Sequence, residues 1–179
     1  MPPDLPPDGS DNNAQRGIEF GWRVHSAQES WTAKVDGKAS LLLALQGGAL
    51  FGIATGHQKD GFLAKLTGWH LAVVVAASIS LVVGIVVTIA AVLPMLGSAK
   101  KHRAEYSSHL VYFGHLRHWE PHELGAKLPR ITQADELRML ALQLQRMGQR
   151  NWWKHQLLRL GLGLTALAIM TTVFAVLVK

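Results

Sequence analysis

The stretch that decides the fold is Leu71–Leu96, which reads LAVVVAASISLVVGIVVTIAAVLPML. No ionisable side chain interrupts it. A helix crosses a hydrocarbon core of about 30 Å with roughly 20 apolar residues, so this stretch is long enough to span a bilayer. Leu160–Val178 is a second such run, and Ser40–Gly56 is a shorter, glycine-rich third. The sequence therefore predicts an all-α membrane protein with three transmembrane helices, at 40–56, 69–96 and 157–178, and a cytosolic helical region.

The composition narrows the class of protein further. The chain has 179 residues, of which 49% are hydrophobic and 17% charged, and none is cysteine. The lack of cysteine excludes disulfides, thiol catalysis and cysteine-based metal sites. Residues 1–13 are rich in Pro, Asp and Asn and lack the basic start and apolar core of a signal peptide. We expect them to form a disordered tail.

The placement of basic residues predicts the membrane topology. Four lysines and arginines precede the first span, two lie between the first and second, and ten lie in the region 98–156. Cytoplasmic loops carry an excess of Lys and Arg, so the N-terminus and 98–156 are predicted to be cytosolic in a multi-pass membrane protein. This placement and the attraction of anionic lipid headgroups explain the net charge of +6 without a nucleic acid partner.

Two segments outside the spans have helical periodicity. Residues 14–38 are predicted to form a cytosolic amphipathic helix, with Asp36-Gly37-Lys38 as a weak break before the first span. In the cytosolic helical region 98–156, Pro121 and Pro129 interrupt the first part. Thr132 is then a predicted N-cap with Asp135 at the capping-box position, and one helix is predicted from Gln133 to the end of the third span. The apolar seam of that helix is expected to pack with 14–38. This seam consists of Leu137, Leu140, Leu144 and Met147.

Small residues recur every four positions in the first two spans, which is typical of closely packed membrane helices. We therefore expect these spans to form a tight helical hairpin, with Pro94 kinking or ending the second span. Gln46 is the strongly polar side chain of the first span and is expected to hydrogen-bond a neighbouring helix rather than line a pore. The repeats are Ala44, Gly48, Gly52 and Gly56 in the first span, and Ala72, Ala76, Ser80, Gly84 and Thr88 in the second.

The sequence contains no recognisable catalytic constellation. It lacks a phosphate-binding P-loop, a dinucleotide fingerprint and a nucleophile elbow. His115, His118 and His122 would share one helix face, but Pro121 interrupts that helix, so an interfacial or hydrogen-bonding role is preferred over a metal site. We predict no catalytic residue, no metal, no cofactor and no enzymatic activity. Interleaved basic and aromatic residues in 100–119 are compatible with a nucleotide pocket, and equally with a juxtamembrane belt.

Four segments, in order, resemble the transmembrane effector family of Pycsar antiphage defence. Val35–Leu43 is similar to the Asp-x-Lys-Ala-x-x-Leu-Leu entry into that family's first span, and Ala90–Pro94 to the Ala-x-Leu-Pro that closes its second. Tyr112–Leu116 resembles its Phe-Phe-Gly-His segment. Gln143–Leu158 is similar to the basic helix that enters its last span. The resemblance covers residues 20–178.

The resemblance implies a function. In such systems a cyclase makes cCMP or cUMP on infection, and the effector responds by impairing the inner membrane. It implies a cyclic pyrimidine nucleotide and the lipid bilayer as partners, and a homo-oligomer. The sequence has no recognisable cyclic-nucleotide-binding domain, so the place where the nucleotide binds does not follow from the resemblance. A pocket shared between subunits is the simplest way to form a binding site. The implied ligand-binding residues are Lys38, Tyr112, Phe113, Gly114, His115 and Lys154.

Other interpretations remain open at this point. From the residues alone, headgroup anchoring is preferred for Lys38 and Lys154, and core packing for Phe113. The whole chain is also compatible with a non-enzymatic membrane scaffold that recruits a cytosolic partner through the apolar seam, or with a small channel subunit. Few charged side chains occur inside the spans, which weakens the channel interpretation.

Overall fold

The computed structural model describes residues 9–59 and 61–178, and in this part of the chain it is helical without β-strands. Three of the described helices are long and apolar enough to cross a membrane, which confirms the predicted all-α fold with three spans. Short 3₁₀ turns lie at Tyr106–Ser108 and Leu128–Arg130. The helices are α1 (Gly9–Gly56), α2 (Gly68–Val92), α3 (Ala99–Glu105), α4 (Phe113–Leu116), α5 (Pro121–Lys127) and α6 (Gln133–Leu177).

The chain divides into two compact units, and α1 and α6 contribute residues to both. We call residues 9–31 and 94–151 the head unit. The span unit comprises residues 32–59, 61–93 and 152–178. It contains α2 and the apolar parts of α1 and α6.

The span unit has a small apolar core from all three of its helices. Leu81 and Ala168 are buried and pack with Leu50 and Ile53 of α1. The connection after α1 folds back onto the helices, where Leu63 is buried and its backbone N–H donates to the carbonyl of Gly56 over 2.7 Å. Many large apolar side chains of this unit point outward, as helices that face lipid require. Phe51, Ile79 and Met170 are among them.

In the span unit, α2 and α6 approach each other closely at two glycines. A Cβ at Gly161 would collide with Thr88 Oγ1, and a Cβ at Gly84 would lie 3.5 Å from the carbonyl oxygen of Gly161. Ala44 and Gly48 are exposed, and no described atom lies within 4 Å of a Cβ placed at Gly48. The predicted tight packing through the small-residue face of the first span is therefore wrong. Leu50 and Ile53, on another face of α1, pack against the buried Leu81 and Ala168 instead.

Several predicted boundaries can be compared with the helices. The break at Asp36-Gly37-Lys38 is wrong, because α1 continues through it. Helix α2 ends at Val92, and Leu93 adopts the extended conformation that a following proline favours, which confirms the role of Pro94. The predicted second span, 69–96, is thus longer than its helix. Of the predicted tail 1–13, residues 1–8 lie outside the described residues and 9–13 belong to α1.

The start of α6 is capped as predicted. The backbone N–H of Asp135 donates to Thr132 Oγ1 over 3.1 Å, and the Thr132 hydroxyl donates to Asp135 Oδ2 over 2.8 Å. The Thr132 backbone N–H lies 3.4 Å from the same carboxylate oxygen. Hydrogen bonds from Thr132 hold the pKa of the Asp135 carboxyl below its usual value. The predicted single helix from Gln133 through the third span is confirmed.

In the head unit, α1 packs lengthwise on the apolar seam of α6. Leu140 is buried, and a Cβ at Gly21 would collide with its side chain. The indole N–H of Trp22 donates to Glu136 Oε1 over 3.0 Å, and Gln28 Nε2 donates to the carbonyl of Leu144 over 3.2 Å. The expected packing of these two helices is therefore present, and it occupies much of the seam.

Candidate functional site

The head unit contains a cluster of histidine, arginine and tyrosine side chains around a half-buried carboxylate. Helix α3 supplies a histidine and the carboxylate, α4 and the residues just before it supply a tyrosine and two histidines, and α6 supplies two arginines one turn apart. We call this set the head cluster. It consists of His102, Glu105, His109, Tyr112, His115, Arg146 and Arg150.

His115 lies at the centre of the head cluster and is fully buried. Its Nδ1 is 3.3 Å from the carbonyl oxygen of His102, and its Nε2 is 3.3 Å from Arg146 Nη1. A guanidinium has only donors, so Nε2 of His115 must accept and Nδ1 must carry the proton that is donated to His102. The network thus assigns the neutral Nδ1–H tautomer to His115.

The pKa values of all three histidines of the head cluster are lowered, which favours their neutral forms. Burial lowers the pKa of His102, and repulsion between its protonated form and a protonated His115 lowers it further. Burial also lowers the pKa of His109, as does the guanidinium of Arg146. For His115, burial lowers the pKa more than the hydrogen bond to the His102 carbonyl raises it. The rings pack closely, with 4.8 Å between the centroids of His102 and His115.

The arginines give the head cluster an excess of positive charge. Arg146 Nη2 donates to Glu105 Oε2 over 3.2 Å. Partial burial raises the pKa of the Glu105 carboxyl, but the Arg146 hydrogen bond and nearby cations outweigh it and keep that pKa lowered. The Arg150 guanidinium lies 5.0 Å from the centroid of the Tyr112 ring. With neutral histidines, two guanidinium groups therefore face one carboxylate.

A narrow cleft opens beside the head cluster. It has a cavity volume of only about 10 Å³, whereas pockets for small ligands typically measure about 300–1,000 Å³. Its polar lining comes from His109, Tyr112, His115, Gln143 and Arg146. The cleft therefore has the chemistry for an anionic ligand with an aromatic part, but a single chain in this conformation does not enclose a whole mononucleotide.

The structure places four of the six predicted ligand-binding residues at the head cluster. Tyr112, Gly114 and His115 are buried there. Phe113 is 63% exposed beside Tyr112, so the alternative of core packing for Phe113 is wrong. Gly114 is helical. Glycine is required there because a Cβ would collide with the Tyr112 ring and approach His102 to 3.0 Å.

The two predicted lysines belong to the span unit. Lys38 is exposed on α1. Lys154 is only 8% exposed, and its Nζ lies 2.6 Å from Asp36 Oδ1. Lys154 is thus paired with a carboxylate of its own chain. The two roles considered from the sequence, a phosphate contact and a headgroup anchor, did not include this ion pair.

Sequence reasoning missed five members of the head cluster. The i, i+4 spacing of Arg146 and Arg150 places both side chains on one face of α6. This spacing is the sequence feature from which the two arginines could have been predicted as site residues. Glu105 is 41 positions from its partner Arg146, so no local pattern connects them. Among the described residues no three His, Asp or Glu side chains are placed to hold a metal ion. Helix α4 ends at Leu116, before His118 and His122.

Comparison with known proteins then assigns the family. The family model described as the Pycsar effector protein domain matches residues 20–179, which covers nearly the whole chain. The chain belongs to the Pycsar effector family. It is therefore an antiphage defence effector, and membership implies a cyclic nucleotide signal. No curated protein and no solved structure matches this Pycsar effector.

Proposed function

We propose that this Pycsar effector is triggered by a cyclic pyrimidine mononucleotide, cCMP or cUMP, and then impairs the bacterial inner membrane. The observation that carries the proposal is one family match extending over both the polar head unit and the three apolar helices. A chain that joins a polar receiver to membrane-spanning helices is suited to convert a soluble signal into a membrane event. On this proposal the protein acts by binding and not by catalysis.

The proposed topology follows the distribution of positive charge. The head unit contains most of the lysines and arginines and lies in the cytosol, where the nucleotide is made. The N-terminus is then cytosolic, the connection between α1 and α2 is short and external, and α6 ends outside. Nearby headgroups are bound by the basic and aromatic residues next to the spans, including Trp152 and Trp153, both of which are exposed.

The head cluster is the proposed receiver of the nucleotide. A cyclic phosphate carries one negative charge, and guanidinium groups such as those of Arg146 and Arg150 bind phosphate oxygens by charge-assisted hydrogen bonds. Tyr112 and the exposed ring of Phe113 are suited to stack on a pyrimidine. Because the cleft of one chain is too small, we propose that a second copy completes the pocket in a homo-oligomer.

Binding is tested by thermal unfolding of the full chain in detergent with cCMP, cUMP, cAMP or cGMP. A ligand that binds only the native state must raise the melting temperature, and we expect this for one cyclic pyrimidine. Arg150→Ala should lose the shift. Arg138→Ala is the matched control, because Arg138 lies on the same helix with an exposed side chain outside the head cluster. A folded, assembled protein that responds to none of the four nucleotides would overturn the proposal.

Membrane impairment is tested in cells that carry the effector with a pyrimidine cyclase. We expect infection to collapse the membrane potential and halt phage growth. If Lys38 contributes to signalling, as the family resemblance implies, Lys38→Ala should abolish the response while the protein still inserts. An unchanged response would remove Lys38 from the site, and full potential with the wild-type protein during infection would contradict the function itself.

The scaffold alternative receives no support from the seam on which it was based. Leu140 is buried against α1 in the same chain, and Gly17 and Gly21 of α1 lie against the seam. A partner helix would first have to displace α1. The effector proposal needs no such rearrangement.

A further inference from the structure

A fully buried glutamine joins the three apolar helices of the span unit. Gln46 of α1 has no exposed surface. Its Nε2 donates to Thr88 Oγ1 of α2 over 3.1 Å and to Thr165 Oγ1 of α6 over 2.7 Å. One amide group therefore bridges both other helices, and we call these three side chains the polar node.

The orientation of the amide follows from its partners. The Thr88 hydroxyl donates to the carbonyl of Gly84, and the Thr165 hydroxyl donates to the carbonyl of Gly161. Each hydroxyl has one proton, so both oxygens can only accept from Gln46, which places the amide nitrogen toward them. The amide oxygen points elsewhere, and no described group of the protein lies within hydrogen-bonding distance of it.

The surroundings make the polar node distinctive. The hydroxyls of Ser78 and Thr171 donate to carbonyls of their own helix, and Ser80 of α2 donates to the Leu164 carbonyl of α6 over 3.3 Å. The node instead lies where Gly84 and Gly161 bring the backbones of α2 and α6 together. A strongly polar side chain inside a membrane is costly unless it is paired, because hydrocarbon offers it no alternative partner.

We infer that the polar node is a latch which keeps the three spans closed, and that its opening and hydration accompany membrane impairment. This inference rests on the proposed function, because the event that the latch controls is the proposed impairment of the membrane. In the closed state the amide N–H groups are paired and the carbonyl has no protein partner. When the helices separate, water can hydrate both ends of the amide. Opening the spans and admitting water are therefore coupled at Gln46.

Two kinds of variant shift this equilibrium in opposite directions. Thr88→Val with Thr165→Val removes both acceptors and leaves the amide wholly unpaired in the closed state. Two lost intramembrane hydrogen bonds should raise the open population roughly tenfold. We expect arrested growth and dye release from proteoliposomes without any nucleotide. Gln46→Leu removes the group that gains from hydration, and both threonine hydroxyls keep their carbonyl partners. We expect this variant to stay closed and to lose the triggered response.

Matched controls separate a latch from general damage. Thr171→Val with Thr172→Val makes the same chemical change in α6, where both hydroxyls bond only to carbonyls of that helix. This double variant should behave as wild type. Adding Gln46→Leu to the Thr88 and Thr165 substitutions should abolish the spontaneous release, because no unpaired amide remains. Misfolding that does not arise from the unpaired amide would not be rescued by this third substitution.

The outcomes distinguish this inference from the proposed function. The latch inference is wrong if the Thr88 and Thr165 variant releases no more dye without nucleotide than the control variant does. It is also wrong if Gln46→Leu still responds fully to nucleotide. Both conclusions hold even where the wild-type protein responds to nucleotide. If wild type ignores every cyclic nucleotide while the Thr88 and Thr165 variant releases dye and the triple variant does not, the latch stands and the nucleotide trigger fails. Spontaneous release that persists in the triple variant would also overturn the latch.

Discussion

Lys154 and Asp36 join α6 to α1 in the span unit through an ion pair, with 2.6 Å between Lys154 Nζ and Asp36 Oδ1. The lysine side chain is 9% exposed and the aspartate side chain 36%. Sequence resemblance had assigned Lys154 to a ligand. The pair gives it an internal role that accounts for its burial without a bound phosphate.

The first prediction concerns this pair. Lys154→Met should lower the free energy of unfolding by about 1–2 kcal/mol, because it breaks a partly buried ion pair whose aspartate is still reached by solvent. Asp36→Asn should have a similar effect, and the double variant should lose less than the sum. Thermal unfolding in detergent measures all three. Lys34→Met, at an exposed position of α1, should be near neutral. Additive losses would mean that the two side chains do not interact.

The second prediction concerns the contact between α2 and α6. Gly161→Ala places a methyl group against Thr88, so the helices must move apart at a cost of about 1–3 kcal/mol. Gly163→Ala is the control, because no described atom lies within 4 Å of its Cβ position on the same helix. We expect a clear drop in melting temperature for the first variant and none for the second. Equal melting temperatures would show that these helices are not in close contact.

The third prediction concerns pH. The pKa values of His102, His109 and His115 are lowered from 6.5 in the folded protein, so below that pH the unfolded chain binds more protons. Stability is then complete above about pH 6.5 and falls as the pH drops toward the folded values. Melting temperatures measured from about pH 7.5 to about pH 5.5 should decrease. Lowered carboxyl pKa values, as for Glu105, act only at lower pH.

A histidine variant tests the source of this pH dependence. His115→Gln removes the central ring of the head cluster and should flatten the decrease. His122→Gln, at an exposed position of α5, should leave it unchanged. A decrease that is identical in all three proteins would place its origin outside the head cluster.

The fourth prediction concerns the start of α6. Thr132→Ala removes the side chain that accepts from the Asp135 N–H and donates to its carboxylate, and should cost about 1 kcal/mol. It should also raise the pKa of Asp135, because hydrogen bonds from Thr132 are what lower it. Nuclear magnetic resonance titration of the Asp135 carboxyl measures this directly. Thr132→Ser, which keeps the hydroxyl, should retain both properties.

The fold was predictable where one local property decides the outcome. Unbroken apolar length identified the three spans, Pro94 identified the end of α2, and Thr132 with Asp135 identified the start of α6. The break at Gly37 was not predictable in the same way. The local preference of Gly37 against helix is overridden in the folded chain, where the pair of Asp36 and Lys154 holds this turn of α1 against α6.

The candidate site was predictable only in part, for a related reason. Tyr112 and His115 lie in one short segment whose pattern is visible along the chain. Arg146, the partner of His115, lies 31 positions further along the chain in another helix, and only the fold brings the two together. The partners of Gln46 are likewise 42 and 119 positions away, so its hydrogen bonding was expected but its partners were not identifiable.

The open glycine positions of the span unit have a practical consequence. No described atom lies within 4 Å of a Cβ at Gly47, Gly48 or Gly163, and the natural chain has no thiol to replace. Single cysteines introduced there can carry spin labels or cross-linkers without repacking their neighbours. Distances between labels on separate copies of the proposed homo-oligomer can be recorded by electron paramagnetic resonance with and without nucleotide. The change in distance would measure how far the spans of this effector move on activation.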